Sequence, residues 1–403
     1  MLAPRICCLD LDTFFVSVER LLDPSLNGRP VIVGGHRGGR GVVTSCSYEA
    51  RAMGVRSGIS IREASEKASA DAVFLPGHHD LYMDYSRKAR EIVERFSPIV
   101  IAASIDEHYI DFTGCERLYR KPGDADDDAT IERVVRECTG AIQRELGLPS
   151  SAGIATSKPM AKVASGLAKP AGVLMVRAGR EAETLAPLPV RKLPGIGPVA
   201  EGKLAGLGIL TLAQVVEAPD ALLRPIFGAY TRGIRLAARG EGNDELGRER
   251  PAFREHDPEG VIAGTISNER TFAETTPETA ASILSGLCER VCSRARRRGA
   301  LAGQVTLKLR YTDFQTLTRG RTITPTNDEF ELHRTVLDLY RETRTRPMPI
   351  RLLGVAVAKL RLDSVQLPLF EHGERRVKAV DRVRDKFGYD AVHLATTLGR
   401  RRR

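Results

Sequence analysis

Residues 104–114 read SIDEHYIDFTG, with the apolar-rich VIAAS running into them and two carboxylates, Asp106 and Glu107, near the start. Such a pair is costly to bury without a cation or a basic partner. On a regular strand, neighbouring side chains also point to opposite faces, so one ion could not be held by both. A hairpin tip at 105–107, between a strand in SPIVIAAS and another in EHYIDFT, breaks that alternation.

A third acid belongs with them. ICCLDLDTFF (6–15) reads as a buried strand that turns polar at Asp10 and Asp12 and leads into a helix. Taken alone, LDLD is a strand end with solvated acids, and SIDE is a charged hairpin tip. Taken together, an aspartate ending a central strand and an acidic pair at a neighbouring hairpin can converge from one sheet. Three converging carboxylates repel one another unless counter-charge is present. Hard oxygen ligands suit Mg²⁺, which keeps waters and binds beside substrate phosphates. Two such ions about 3.5–4 Å apart can activate a 3′-oxygen and stabilise a leaving pyrophosphate.

Outward from these strands, PVIVGG (30–35) and GVVTSCS (41–47) read as short strands around a basic, glycine-rich turn. YEARAMGV (48–55) has helical spacing, and 81–97 and 130–146 are helices, the first clearly amphipathic. SSAGIAT supplies a last strand. The order strand–helix–strand–strand–helix–strand, with one long insertion, predicts an α+β domain on a mostly antiparallel sheet. A second unit begins near 170 and contains LPGIGPVAEGKLAGLGI (193–209), a glycine-punctuated turn between short helices. Residues 241–259 are charged, with few large apolar side chains, and read as a linker. Strand 260–273, helix 277–298, strands 302–312 and 315–324, helix 327–342 and strand 350–361 form a second βαββαβ pattern. Beyond 363 the chain is polar and basic.

The 403 residues, 42% hydrophobic and 28% charged, suit a multidomain globular protein. No apolar run approaches the roughly 20 residues of a membrane span. MLAPRICCLDLD lacks the apolar stretch and cleavage site of a signal peptide, which predicts a cytoplasmic protein. Seven cysteines without a CxxC spacing read as reduced, mostly buried thiols. The net charge of +10 is concentrated at 294–298, 400–403 and along 306–322, which favours a polyanion such as nucleic acid over a merely solvated basic face.

DLDTFFVSVE, GVVTSCSYEARAMGVRSG, SIDEHYID, AGIATSKPMAKVASGLAKPAG and LPGIGP occur in the order and spacing of the Y-family translesion DNA polymerases, and the chain most resembles the DNA polymerase IV-like branch. The resemblance implies a right-hand polymerase. Its ferredoxin-like palm would span 1–22 and 80–168, with small fingers at 23–79. A helical thumb with a helix-hairpin-helix would span 169–240, followed by the linker. A βαββαβ little finger would occupy 260–362 and a tail 363–403. It further implies a template-directed, low-fidelity enzyme that adds dNTPs to a primer 3′-hydroxyl with two Mg²⁺. Such an enzyme acts as a monomer in lesion bypass and DNA repair, without 3′–5′ proofreading.

By the same resemblance, Asp10 and Asp106 are bridging metal ligands, Glu107 is the ligand on the primer side, and Leu11 offers a backbone carbonyl. Asp12 supports them. Phe15 matches the steric gate beneath the sugar, and Phe14 beside it packs in the core at the nucleotide site. Tyr48 and Arg51, three apart on one helical face, and Lys169 in AKP resemble triphosphate contacts. Lys162 is a lesser helper or a surface charge. Thr44 and Gly58 resemble small residues around the nascent base pair. Gly195 and Gly197 in LPGIGP let backbone amides approach a DNA phosphate. Alternation places Lys308 and Arg310 on one strand face and Arg319 and Arg321 likewise on the next, and both faces are expected to line phosphates.

Gln366, Leu367, Leu369 and Phe370 of QLPLF resemble the bacterial sliding-clamp peptide, although a helical pattern at 375–399 follows and makes the motif internal. That following segment either packs back or binds another protein. His108, where alanine is expected, should point away from the metals. Two other readings stay open at this level: a polymerase-like scaffold without activity, which would have lost the acids this chain keeps, and a nucleotide cyclase, which has no use for a helix-hairpin-helix and a basic C-terminal unit.

Overall fold

The computed structural model describes residues 3–242, 261–262, 264–275, 277–362 and 374–397. The chain divides into two compact units, Met1–Glu249 and Arg250–Arg403.

In the first unit ICCLDL forms β1 (Ile6–Leu11), whose nearly continuous apolar run suits a strand covered on both faces. Helix α1 (Phe14–Leu22) follows. An insertion then builds its own small sheet from β2 (Val31–Val33), β3 (Ser45–Cys46) and β4 (Val73–Leu75), in the order β3-β2-β4. Helices α2 (Tyr48–Ala52) and α3 (Ile61–Lys67) cover it through Ala50, Ile61 and Ala64. The chain returns through α4 (His79–Val93), β5 (Val100–Ala102), β6 (Glu107–Asp111), the short α5 (Glu116–Tyr119) and α6 (Asp127–Leu146). It continues through β7 (Ser150–Ala155), α7 (Lys158–Ala168) and β8 (Val173–Met175).

The main sheet runs β5-β6-β1-β7-β8. Strand β1 is antiparallel to both β6 and β7, so those two run parallel with β1 between them, a split βαβ arrangement. Strand β8 joins β7 in parallel and carries the sheet to residue 175, past the boundary expected at 168. Cys7, Leu9 and Leu11 enter a core with α1, α4 and α6, whereas Ile6 and Cys8 meet α7 on the other face. Asp10 shares the α7 side by alternation. Helix α6 shows why it docks: Ile131, Val134, Val135, Cys138, Ala141 and Ile142 recur at helical spacing and are buried.

The hairpin differs from expectation. Its turn is 103–106, and Glu107 is not at the tip but opens β6, directly opposite Asp10. Pairing explains the shift: the Glu107 carbonyl accepts the Ala103 amide at 2.9 Å, and the Asp106 carbonyl accepts the Leu11 amide at 2.9 Å.

Helices α8 (Glu181–Leu185), α9 (Pro198–Ala205), α10 (Leu212–Glu217), α11 (Asp220–Phe227) and α12 (Thr231–Ala238) complete the first unit. They pack Leu185, Leu204, Leu212 and Leu223 into the core that α7 shares.

The second unit contains β9 (Val261–Ile262), β10 (Ile266–Thr275), α13 (Pro277–Arg297), β11 (Ala300–Tyr311), β12 (Thr316–Thr326), α14 (Glu329–Thr343) and β13 (Ile350–Leu362). Its sheet order is β10-β13-β11-β12, all antiparallel, which interlocks two split βαβ units. The tail helix α15 (Glu374–Phe387) ends at Gly388, whose φ is +91°, well short of 399. It packs back on this unit: Arg384 donates to the fully buried Glu289 of α13, and Arg296 bridges Asp381 at 2.6 Å and Glu329 at 2.7 Å. Gln366, Leu367, Leu369 and Phe370, and nearly all of the expected linker, lie outside the described residues. Among the described residues no helix is long and apolar enough to cross a membrane.

Candidate active site

A cleft of about 350 Å³ in the first unit is lined by Asp10, Leu11, Phe14, Phe15, Thr44, Arg51, Asp106 and Lys169, together with Thr13, Ser45, Ser57 and Ile105. The ends of β1 and of the β5–β6 hairpin bring the acids here from positions far apart in sequence. Burial raises the Asp10 carboxyl above its ordinary pKa, the Lys169 ammonium opposes that shift, and the Asp106 and Glu107 carboxylates add to it. The Lys169 ammonium donates to Asp10, and the Lys162 ammonium donates to Glu107. Asp106 accepts the Ser104 hydroxyl. Lys162 therefore has a definite place, as the counter-ion of Glu107.

Among the described residues no three acids, histidines or cysteines form a preassembled metal cage. The donor set is instead Asp10 and Asp106 in the cleft lining, with Glu107, 8% exposed and outside that lining, opposite Asp10 in register; Asp10 and Glu107 are each neutralised by an ammonium group. Such a set fits Mg²⁺, which relies on water and substrate phosphate for much of its octahedron.

Asp12 is 1% exposed and does not face the cleft. It accepts the Ser151 hydroxyl at 2.7 Å, the Ala171 amide at 2.8 Å and the Tyr48 hydroxyl at 3.3 Å, with the Lys169 ammonium 3.5 Å away. One buried carboxylate thus ties together β1, β7, the Lys169 turn and α2. Burial, then the Asp12 charge, pushes the Tyr48 phenol up to about 12, so it stays a donor. Ser47 caps α2 by accepting the Ala50 amide at 3.3 Å, and the Arg51 guanidinium lies 5.2 Å from the Tyr48 ring centre. Thr44 donates its hydroxyl to the Val33 carbonyl at 3.0 Å. Gly58 has φ +93° with open space around it, a conformation that strains any side-chain-bearing residue.

Thr13 is a residue that sequence reasoning missed. It adopts φ +44°, unusual for a β-branched residue, just before α1. The bend turns the start of α1 toward the cleft, and nothing in LDTFF signals it. His108 pairs with Leu9, so it faces the opposite core and is 1% exposed, as alternation from the acids requires.

The residues expected to meet nucleic acid lie in both units. Gly195 has φ +93° and Gly197 precedes α9, between the buried Leu193 and Ile196 and the helix start at Pro198. In the second unit Lys308 and Arg310 share the sheet's open face, where they meet Glu269 at 2.8 Å and Thr316 at 2.7 Å. Arg319 and Arg321 do not join them. They pair with Leu307 and Val305, whose side chains enter the helix-covered core, and Arg321 bonds Glu342 of α14 at 2.6 Å. The pairing register puts Lys308 and Arg310 on the open face and Arg319 and Arg321 on the helix-covered side, so the two strand faces expected to line phosphates lie on opposite sides of the sheet.

The impB/mucB/samB family model matches residues 9–166, its helix-hairpin-helix motif 179–209 and its C-terminal domain 264–369. DNA polymerase IV of Dehalococcoides mccartyi strain CBDB1 is 36% identical over 400 residues, covering 98% of this chain and 97% of the relative. That of Desulfatibacillum aliphaticivorans is 37% identical over 401 residues, covering 97% and 96%. Among solved structures, a chimeric Y-family DNA polymerase built on Dbh matches with a TM-score of 0.74 at 21% identity, over 89% of this chain and 99% of its own. DinB from Sulfolobus solfataricus matches with a TM-score of 0.59 at 22% identity, over 89% and 99%.

Proposed function

The chain belongs to the impB/mucB/samB family of Y-family DNA polymerases, and on that premise we propose that it is a low-fidelity translesion polymerase acting in DNA repair in the cytoplasm. It is a DNA-directed DNA polymerase. The observation that supports the finer reading is that Asp10 and Asp106 line one cleft with Lys169 and Arg51, while Glu107, 8% exposed, pairs in register with Asp10.

Asp10, Asp106, Glu107 and the Leu11 carbonyl would hold two Mg²⁺. When bound, the ions supply Lewis-acid charge that acidifies the primer 3′-hydroxyl and neutralises the triphosphate. The protein's own groups do the rest. Arg51 presents a planar fork to two phosphate oxygens, the Tyr48 hydroxyl turns its one proton from Asp12 to a phosphate oxygen, and Lys169 moves from Asp10 to the triphosphate. The amides at the start of α1 add anion-binding donors. Phe15 closes the floor of the cleft against a 2′-hydroxyl. Thr44 and Gly58 leave space around a distorted base pair, which supports low fidelity. Primer–template DNA is gripped through the Gly195–Gly197 turn and the Lys308–Arg310 face. The reading includes no 3′–5′ proofreading, and the enzyme works as a monomer recruited to a sliding clamp by Gln366, Leu367, Leu369 and Phe370.

The test is primer extension across a panel of damaged templates, with and without clamp. The expected result is extension past lesions that grows with clamp in the intact protein and does not after deletion of 366–370. Arrest at every lesion, or equal loss of clamp-dependent and distributive synthesis in the deletion, contradicts the reading.

A further inference from the structure

The Phe15 ring does not rest on generic core. It lies flat on Tyr82 of α4, with ring centres 4.2 Å apart and planes 11° from parallel. His79 meets its edge at 6.5 Å, and Phe14 lies 5.6 Å away. Tyr82 is itself held. It is 2% exposed, and its hydroxyl donates to the carboxylate of Glu19, which is 4% exposed. The same carboxylate bonds Nδ1 of His78 at 2.9 Å. Glu19 stands one turn after Phe15 on α1, so one helix carries both the ring and the anchor of the ring's support.

A buried carboxylate needs such partners, and a phenol donating to it makes a strong, directional bond. Burial and the Glu19 contact both push the Tyr82 phenol's pKa up, which keeps its proton in that bond. The backbone closes the arrangement from the other side. Gly77 leaves the space the phenol occupies: a Cβ there would sit 2.9 Å from the Tyr82 hydroxyl and 2.8 Å from Val33.

We infer that Tyr82 and Glu19 are positioning residues for sugar selection, holding the Phe15 ring at the height where it excludes a 2′-hydroxyl. The inference rests on Phe15 being the steric gate. Exclusion by a ring depends on steep short-range repulsion, so a support that lets the ring sink admits the extra oxygen. A flexible aliphatic support under Phe15 could not hold that height.

The test compares kcat/KM for a dNTP and the matching rNTP in six proteins: wild type, Phe15→Ala, Tyr82→Leu, Tyr82→Phe, Glu19→Gln and the double variant Phe15→Ala/Tyr82→Leu. Tyr82→Leu should lower discrimination at least about tenfold, a change of about 1.4 kcal/mol in relative barrier. Tyr82→Phe keeps the stacked ring and should lose less, and Glu19→Gln, whose amide oxygen still accepts the phenol proton, should retain most of the ratio. In the double variant Tyr82→Leu should add nothing to Phe15→Ala, because both act through one ring. Should Phe15→Ala lose discrimination while Tyr82→Leu keeps it, or should the two losses add, the positioning role is overturned and the gate stands. If Phe15→Ala itself keeps the wild-type ratio, the gate reading fails and the inference fails with it.

Discussion

His108 follows the acidic pair yet serves the core, not the cleft. Its Nδ1 has no hydrogen-bond partner among the described residues, and burial, then the Arg90 guanidinium, holds the imidazole below its ordinary pKa. The unfolded chain takes up this proton near pH 6.5, and the native protein only at lower pH. The resulting stability is complete above about pH 6.5 and is lost as pH falls from there through the lowered native value. His108→Leu should flatten this loss: the first unit's melting temperature should fall less between about pH 8 and about pH 5 than in the wild type. Parallel pH curves for the two proteins would refute the assignment. His333, lowered in the same direction in the second unit, is the internal comparison. At this scale Asp10, Asp106 and Glu107 could be singled out from the residues themselves, as acids at a strand end and a neighbouring hairpin, whereas Arg51 and Lys169 were singled out only by the resemblance. Glu19, Tyr82 and Thr13 were legible by neither route. The first two meet only across α1 and α4, and the third declares itself only through its backbone angle.

Helix α7 carries Lys162 and ends immediately before Lys169, the two lysines that neutralise the acids, so its seat on β7 matters. Gly153 makes that seat possible: a Cβ there would lie 2.1 Å from the Ser165 amide nitrogen and 2.3 Å from the Ala161 carbonyl oxygen. Gly153→Ala should push α7 away, destabilise the first unit by about 1–3 kcal/mol and weaken dNTP binding, seen in urea unfolding and in KM. An unchanged midpoint and KM would show that α7 tolerates the shift. In the second unit the element boundaries were readable from period-2 and period-3.6 patterns, but the register of β12 was not. Alternation tells which residues share a strand face; only pairing tells which face that is. Replacing Lys308 and Arg310 together by alanine should therefore lower the slope of log Kd for primer–template against log salt by about one per lost phosphate contact. The Arg319→Ala/Arg321→Ala pair should leave that slope near wild type. A larger effect from the second pair would place DNA on the helix side of β12.

Across the whole chain, two βαβ-based units with separate cores were predictable because each repeats the same interlocked order of strands and helices. The tail was half legible. Its helical spacing at 375–399 was visible, whereas its packing on α13 depends on Glu289, a buried carboxylate that accepts from Arg384, Thr397 and the Leu394 amide. Nothing in the local sequence around 289 announces that role. We propose that Asp10, Asp106 and Glu107, gathered from two distant stretches, do the chemistry while the rest of the molecule binds and positions. Single-turnover primer extension by Asp106→Ala and Glu107→Ala, with primer–template Kd measured on the same proteins, tests it most directly. Extension should fall at least about 10³-fold in each variant while Kd stays within about threefold of wild type. Near-normal extension by either variant would contradict it.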